Sequence, residues 1–173
     1  MDKSLMLLKR SLPQASLSQT IAARRERRTT CLLLDTSGSM AEDCGDGTAK
    51  IDALRALLSQ LPRVRTFSFA SGCWERPPRR AAGGTNLAGA LIAVRAAGCT
   101  SVVLVTDGLP DSEDLSLHAA QGLWIDVVYV GPDPMPKFLR QLTEQCGGHA
   151  GRGTLSRPRE LTSQIAALLE DLR

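Results

Sequence analysis

The sequence has few aromatic residues and no long apolar run. Trp, Tyr and Phe together make up 3% of 173 residues, so the core must be built from Leu, Val, Ile and Ala. No apolar run reaches the roughly 18 residues that a membrane-spanning helix needs, and the segment Leu5–Leu8 is too short for the core of a signal peptide. We therefore expect no membrane partner and an intracellular, cytoplasmic protein.

Histidine is scarce, and the cysteines form no disulfide framework. The five cysteines are odd in number and irregularly spaced, which is typical of free thiols in a reducing compartment. Cys146 and His149 resemble half of a zinc site, but no second pair of Cys or His at short spacing completes it. The net charge of +3 is small for a nucleic-acid-binding domain. We therefore predict neither a zinc site nor a nucleic-acid partner.

Composition and patterning predict one α/β domain with a helical extension before it. Hydrophobic residues make up 43% and charged residues 23%, which are ordinary values for a globular domain. Residues 1–28 are predicted to form the extension and residues 29–173 the domain. The extension ends in the basic run Arg24–Arg28, which is either a docking arm for an acidic partner or nucleic acid, or the solvated end of a helix packed on the domain. We favour the packed helix, because the run is short and contains a glutamate.

Strands alternate with helices throughout the domain. Strands are predicted at 29–34, 64–69, 101–106 and 124–130, with a further short strand near 153–155. Helices are predicted at 51–61, from Thr85 to Gly98, from Ser112 to about Gln121, from Pro136 to Gly147 and from Ser156 onward. The first and third of these strands are apolar throughout, as expected for central strands covered on both faces. The alternation predicts a mainly parallel sheet with helices on both faces.

Short oxygen-bearing side chains follow two of these strands and stand at the start of one helix. Asp35, Ser37 and Ser39 form the pattern Asp-x-Ser-x-Ser directly after the first strand. Thr85 stands at a predicted helix start, and Asp107 follows the third strand. Open α/β sheets bind ligands at the carboxyl ends of their strands. Five oxygen donors without His or Cys favour Mg²⁺, Mn²⁺ or Ca²⁺ over zinc or copper.

These five residues, in this order, resemble the metal-ion-dependent adhesion site (MIDAS) of the von Willebrand factor A (vWA) family. The resemblance implies that Ser37, Ser39 and Thr85 bind Mg²⁺ directly, with Mn²⁺ or Ca²⁺ as alternatives. It implies that Asp35 and Asp107 act largely through water, although either can bind the metal directly. One coordination position would then stay open for an Asp or Glu carboxylate of a partner protein.

The resemblance also implies a fold, and it extends over about residues 29–173. The expected fold is a Rossmann-like, doubly wound sheet with strand order 3-2-1-4-5-6 and helices on both faces, including a short edge strand near 73–75. The expected function is that of a non-enzymatic protein-protein interaction module. Small stand-alone bacterial proteins of this kind work beside AAA-type ATPases, chelatase complexes, or tellurite-resistance and stress operons, and the sequence does not choose among these systems.

A basic loop precedes Thr85 and is predicted to lie at the rim of the same site. Arg76, Arg79 and Arg80 could steer an acidic segment of the partner towards the metal. The alternative is an ordinary solvated loop, and the sequence favours neither. Trp74 is either an exposed anchor for a partner or a cover for the edge of the sheet.

The main alternative function is a magnesium-dependent hydrolase or phosphotransferase, because paired Asp residues and a metal often serve phosphoryl transfer. The sequence has no Gly-x-x-x-x-Gly-Lys-[Ser/Thr] loop and no Gly-x-Ser-x-Gly motif, so we expect no enzymatic activity. Each of the five candidate ligands could also be an ordinary turn former or helix cap. Their shared position at strand ends favours ligation. The acidic loop 41–48 weakly resembles a calcium loop, but a solvated insertion fits its spacing better.

Overall fold

The computed structural model describes residues 29–171. The predicted helical extension at 1–28 lies outside the described residues, as do the last two residues of the chain. Within the described part, no helix is long and apolar enough to cross a membrane.

Six strands form one sheet in the order β3-β2-β1-β4-β5-β6. The strands are β1 (Thr30–Asp35), β2 (Arg65–Phe69), β3 (Cys73–Trp74), β4 (Ser101–Thr106), β5 (Trp124–Tyr129) and β6 (Ala150–Arg152). Neighbouring strands are parallel except β2 and β3, which are antiparallel, with Ser68 opposite Trp74. The predicted strand order and the short edge strand are both confirmed.

Helices cover both faces of this sheet. They are α1 (Lys50–Leu58), α2 (Leu87–Ala96), α3 (Glu113–Ala120), α4 (Lys137–Cys146) and α5 (Pro158–Asp171). Successive residues of a strand point to opposite faces. In β1, Cys31 and Leu33 therefore join the core beneath α2, α3 and α4, whereas Leu32 and Leu34 join the core beneath α1 and α5. Burial on both sides explains why β1 and β4 are apolar throughout.

Several predicted boundaries shift by a few residues. Helix α2 begins after Asn86, whose side chain accepts a hydrogen bond from the Gly89 N–H, so Thr85 does not cap it. The last strand lies at Ala150–Arg152 and not near 153–155. Ala and Gly have weak strand propensity, so pairing with β5 at the sheet edge decides the position of this strand, and the local sequence does not reveal it.

The topology brings two chain-distant strand ends together. Strands β1 and β4 are parallel neighbours, with Leu34 opposite Val105. Asp35 and Thr106 are the last residues of these strands, and Asp107 follows directly. All three side chains are buried. The predicted ligands therefore meet at the carboxyl edge of the sheet, where β1 separates the strands wound in one direction from those wound in the other.

Candidate metal centre

Asp35 anchors the loop that leaves β1. Its Oδ1 accepts a hydrogen bond from the Ser37 backbone N–H at 2.8 Å, and its Oδ2 accepts one from the Thr106 hydroxyl at 2.6 Å. Burial raises the pKa of the Asp35 carboxyl, while these hydrogen bonds oppose that rise. Both carboxylate oxygens are thus engaged by the protein. The role of Asp35 toward a metal, largely through water or by direct binding, stays a prediction.

Ser37, Ser39 and Asp107 form one hydrogen-bonded group. The Ser39 hydroxyl donates to Asp107 Oδ1 at 2.8 Å, and the hydroxyls of Ser37 and Ser39 lie 3.2 Å apart. Ser37 precedes a 3-10 turn at Gly38–Ala41, but its side chain makes no capping hydrogen bond to that turn. The Ser37 hydroxyl is therefore directed to the cluster and not used as a cap. Together with Asp35, which accepts from the Ser37 N–H, four of the five predicted ligands are connected.

The fifth predicted ligand, Thr85, lies on a loop that is attached to the first one. The Gly38 N–H donates to the Gly83 carbonyl at 3.0 Å and so joins the two loops. The Thr85 backbone N–H donates to Asp111 Oδ1 at 2.9 Å, and the Asp111 N–H donates back to the Thr85 carbonyl at 3.0 Å. Among the described residues, no hydrogen bond holds the Thr85 hydroxyl. Asp111 positions this loop, a role that sequence reasoning missed, because its only sequence signal was a place near a helix start.

Lys50 is a second residue at the site that the sequence analysis did not identify. Its ammonium group contacts Asp107 Oδ2 at 2.7 Å, Glu42 Oε2 at 2.8 Å and the Ser39 carbonyl at 3.4 Å. The Lys50 side chain is 7% exposed, whereas that of Glu42 is 66% exposed. Burial lowers the pKa of Lys50, but the bonds to Asp107 and Glu42 outweigh it and leave the pKa raised. Lys50 is therefore protonated and places a positive charge against a predicted metal ligand.

The donor set fits a hard divalent cation. The cluster offers carboxylate and hydroxyl oxygens only, which suit Mg²⁺ or Mn²⁺. The described residues contain no group of three His, Cys, Asp or Glu side chains that could bind a metal by themselves, so the serine and threonine hydroxyls are needed. The Lys50 ammonium contacts Asp107, so this cluster already holds one positive charge.

The three predicted rim arginines line a groove beside the first loop. This arginine groove, of about 440 Å³, is bordered by Thr36, Ser68, Ala70, Trp74, Arg76, Arg79, Arg80 and Ala82. The Arg76 guanidinium lies 5.0 Å from the centre of the Trp74 ring, which is partly exposed. Within residues 29–171, none of the three arginines forms an ion pair. None of the five predicted ligands lines this groove, but Thr36, which does, directly precedes Ser37 in the chain.

The acidic loop 41–48 uses its carboxylates to fold itself. Asp43 Oδ1 accepts hydrogen bonds from the N–H groups of Gly45 and Gly47, and Asp46 Oδ1 accepts one from the Thr48 N–H at 2.9 Å. Asp43 also pairs with Ala49 in an isolated antiparallel bridge. These carboxylates are turn-forming groups. Apart from Cys44, residues 41–48 are exposed, which fits the predicted solvated insertion, and the contacts of the loop do not suggest a calcium site.

No protein-family model and no curated protein sequence matches the chain. Solved structures do match it. A von Willebrand factor type A protein from Catenulispora acidiphila aligns with a TM-score of 0.61 at 18% identity, over 80% of this chain and 41% of that one. Manganese-loaded TRAP protein of Plasmodium vivax aligns with a TM-score of 0.59 at 18% identity, over 84% and 72% of the two chains.

Two further solved structures show the same likeness. The ArnB paralog VWA2 from Sulfolobus acidocaldarius aligns with a TM-score of 0.58 at 18% identity, over 78% of this chain and 44% of that one. Proximal thread matrix protein 1 of the mussel byssus, with a zinc-occupied MIDAS motif, aligns with a TM-score of 0.53 at 14% identity, over 81% and 45%. The chain thus spans less than half the length of most of these proteins. At such identities the likeness concerns the fold.

Proposed function

We propose that this chain, which has the von Willebrand factor A fold, is a metal-dependent protein-protein interaction module. A divalent cation would be held by Ser37, Ser39 and Thr85, with Asp35 and Asp107 supporting it, and would bind a carboxylate of a partner protein. The observation that carries the proposal is the hydrogen-bonded cluster of four predicted ligands at the ends of β1 and β4.

The charge balance of the cluster favours an incoming carboxylate. The three hydroxyl ligands are neutral, and the Asp35 carboxylate already accepts two hydrogen bonds from the protein. Asp107 is the remaining anion, and one of its oxygens accepts a hydrogen bond from Ser39. With both aspartates acting largely through water, the ligands in direct contact with a divalent cation would be three neutral hydroxyls. An Asp or Glu of a partner would supply the missing negative charge and an oxygen ligand.

The arginine groove extends this preference to an acidic segment. Arg76, Arg79 and Arg80, which form no ion pair in the described structure, line a groove that includes Thr36, the residue before Ser37. Further carboxylates on either side of the metal-binding one would find partners there. The partner chemistry we propose is therefore an acidic peptide segment, supplied by a protein such as a component of an AAA-type ATPase or stress-operon system.

Magnesium is the cation we propose, because the donors are oxygen atoms alone and two neutral serine hydroxyls are among them. Manganese in the Plasmodium structure and zinc in the mussel structure show that related folds accept divalent cations. The five cysteines, odd in number and all free, support an intracellular and cytoplasmic site of action.

The same contacts favour binding over catalysis. A phosphoryl-transfer or hydrolytic site needs a group that can accept or donate a proton at the reacting atoms. The basic side chain within the described cluster is Lys50, which is engaged by two carboxylates and has a raised pKa. It is therefore poorly suited to act as a general base.

Calorimetric titration of Mg²⁺ and Mn²⁺ into metal-stripped protein tests the proposal. We expect about one equivalent to bind to the wild type and none to the Ser37→Ala/Ser39→Ala variant. The Ser59→Ala/Ser163→Ala variant loses two exposed hydroxyls that bond only to their own helix or turn, so it is the matched control. Equal binding by all three proteins, or no binding by the wild type even with a saturating acidic peptide, would contradict the proposal.

A further inference from the structure

Lys50 occupies an unusual position for a lysine. It is the first residue of α1, where the helix dipole disfavours a positive charge, and its side chain is buried. Such a charge is stable only when it is closely paired. Asp107 and Glu42 supply that pairing, and Asp107 is one of the five predicted metal ligands.

Because it contacts Asp107, Lys50 would compete with a metal ion for this carboxylate. Asp107 Oδ2 lies 2.7 Å from the ammonium nitrogen, so this oxygen is engaged while Lys50 stays in place. A divalent cation bound to the same cluster would stand close to a fixed positive charge in a largely buried setting, where charges interact strongly. Metal binding and the Lys50–Asp107 contact therefore oppose each other.

Glu42 offers Lys50 a second position. It lies on the solvent side of the lysine, its side chain is largely exposed, and it already binds the ammonium group at 2.8 Å. A lysine that releases Asp107 can keep this partner and turn towards solvent. Moving Lys50 from Asp107 to Glu42 therefore requires less free energy than leaving its buried charge without a partner.

We propose that Lys50 is a resident cation that a divalent metal must displace from Asp107, and that Glu42 receives it. The proposal rests on the metal site proposed above and adds a residue that sets its affinity. Lys50 keeps the cluster neutralised in the absence of metal and lowers its affinity for metal. A partner carboxylate then contributes energy that the metal alone lacks, so metal and partner bind cooperatively.

Titration of Mn²⁺ into metal-stripped wild type, Lys50→Met and Glu42→Gln proteins tests this inference. We expect Lys50→Met to bind Mn²⁺ at least about tenfold more tightly than the wild type, because the opposing charge is gone. Glu42→Gln should bind several-fold more weakly, because the lysine then has only Asp107 as a charged partner. Lys137→Met and Glu144→Gln are the matched controls, since each makes the same substitution at an exposed position of α4 that does not contact Lys50.

The outcomes separate this inference from the metal site itself. If the wild type binds Mn²⁺ and Lys50→Met binds it no more tightly, the inference is wrong and the metal site stands. If none of the proteins binds Mn²⁺, with or without an acidic peptide, both the metal site and the inference fail.

A second measurement uses the wild-type chain and does not depend on the folding of a variant. Acetylation of lysines by acetic anhydride, followed by mass spectrometry, reports how accessible each amine is. We expect saturating Mn²⁺ to raise the labelling rate of Lys50 several-fold and to leave the exposed Lys137 unchanged. An unchanged Lys50 rate at saturating Mn²⁺ would overturn the displacement.

Discussion

The hydrogen bond from Thr106 to Asp35 should be among the strongest local contributions to stability at the site. Thr106 is the last residue of β4, and its hydroxyl donates to Asp35 Oδ2 at 2.6 Å within a fully buried setting. Thr106→Val keeps the shape and the β-branched side chain but removes the donor. One carboxylate oxygen of Asp35 is then buried without a partner in the metal-free protein.

The expected cost follows from the charge of the acceptor. Hydrogen bonds to charged groups contribute about 1.5–3 kcal/mol, and a buried group left without its partner loses its solvation as well. We therefore expect Thr106→Val to lower the free energy of unfolding by about 2–3 kcal/mol. Burial already raises the pKa of Asp35, and loss of the Thr106 donor should raise it further.

Thr143→Val is the matched control. Thr143 is also buried, but its hydroxyl donates at 2.9 Å to the carbonyl of Arg140 in its own helix, which is a neutral acceptor. We expect this change to cost about 1 kcal/mol or less. Urea unfolding of metal-stripped wild type and of both variants gives the comparison. If Thr106→Val is no more destabilising than Thr143→Val, the Asp35 carboxylate does not depend on this donor and the reasoning fails.

Three further changes test other parts of the structure. Glu75 binds Arg65 through both carboxylate oxygens, and this contact lowers the pKa of Glu75. The ion pair therefore stabilises the fold above the ordinary glutamate pKa, and this stabilisation is lost as the pH falls through the lowered pKa of Glu75. Glu75→Gln should thus be less stable than the wild type at neutral pH and equally stable in acid, and a constant gap in thermal midpoints across pH would contradict this. Asp111→Ala removes the acceptor for the Thr85 N–H, so the affinity for Mn²⁺ should fall about tenfold. Asp114→Ala should leave this affinity unchanged, and calorimetric titration of Mn²⁺ measures both variants. Gly148→Ala would place its Cβ against the Ile125 carbonyl, so we expect its free energy of unfolding, measured in urea, to fall by about 3 kcal/mol. Gly108→Ala, where the added Cβ meets open space, should lower the free energy of unfolding far less.

The sheet was predictable because its central strands carry their own signal. The residues of β1 and β4 are apolar at successive positions, and burial on both faces requires this. Most helices begin or end near a Pro or a Gly. Gly147 ends α4 with a φ of 79° in the left-handed region. Strand β6 has no such signal, because Ala150, Gly151 and Arg152 are placed by pairing at the edge of the sheet. Its position depends on tertiary structure and is invisible in a local pattern.

Part of the candidate site could also be predicted from local sequence patterns, and part of it could not. The clustering of Asp35, Ser37, Ser39 and Asp107 could be predicted, because each lies at the end of a strand that the sequence marks or within a few residues of it. Asp111 holds Thr85 across 26 residues, and no local pattern indicates that contact. Its place near a helix start has an equally good local explanation in the helix dipole.

Lys50, unlike Asp111, could have been noticed in the sequence, because a lysine is unusual in a first helical turn. A first helical turn favours Asp or Glu, so a lysine as the first residue of α1, next to an acidic loop, violates a simple electrostatic preference. Such a violation is tolerated where another part of the fold compensates for it, and here Asp107, 57 residues away, does so. The negative potential that holds a lysine in this unfavourable helical position would also favour the divalent cation that we propose. In the displacement that we propose, Lys50 is the charge that a metal must replace.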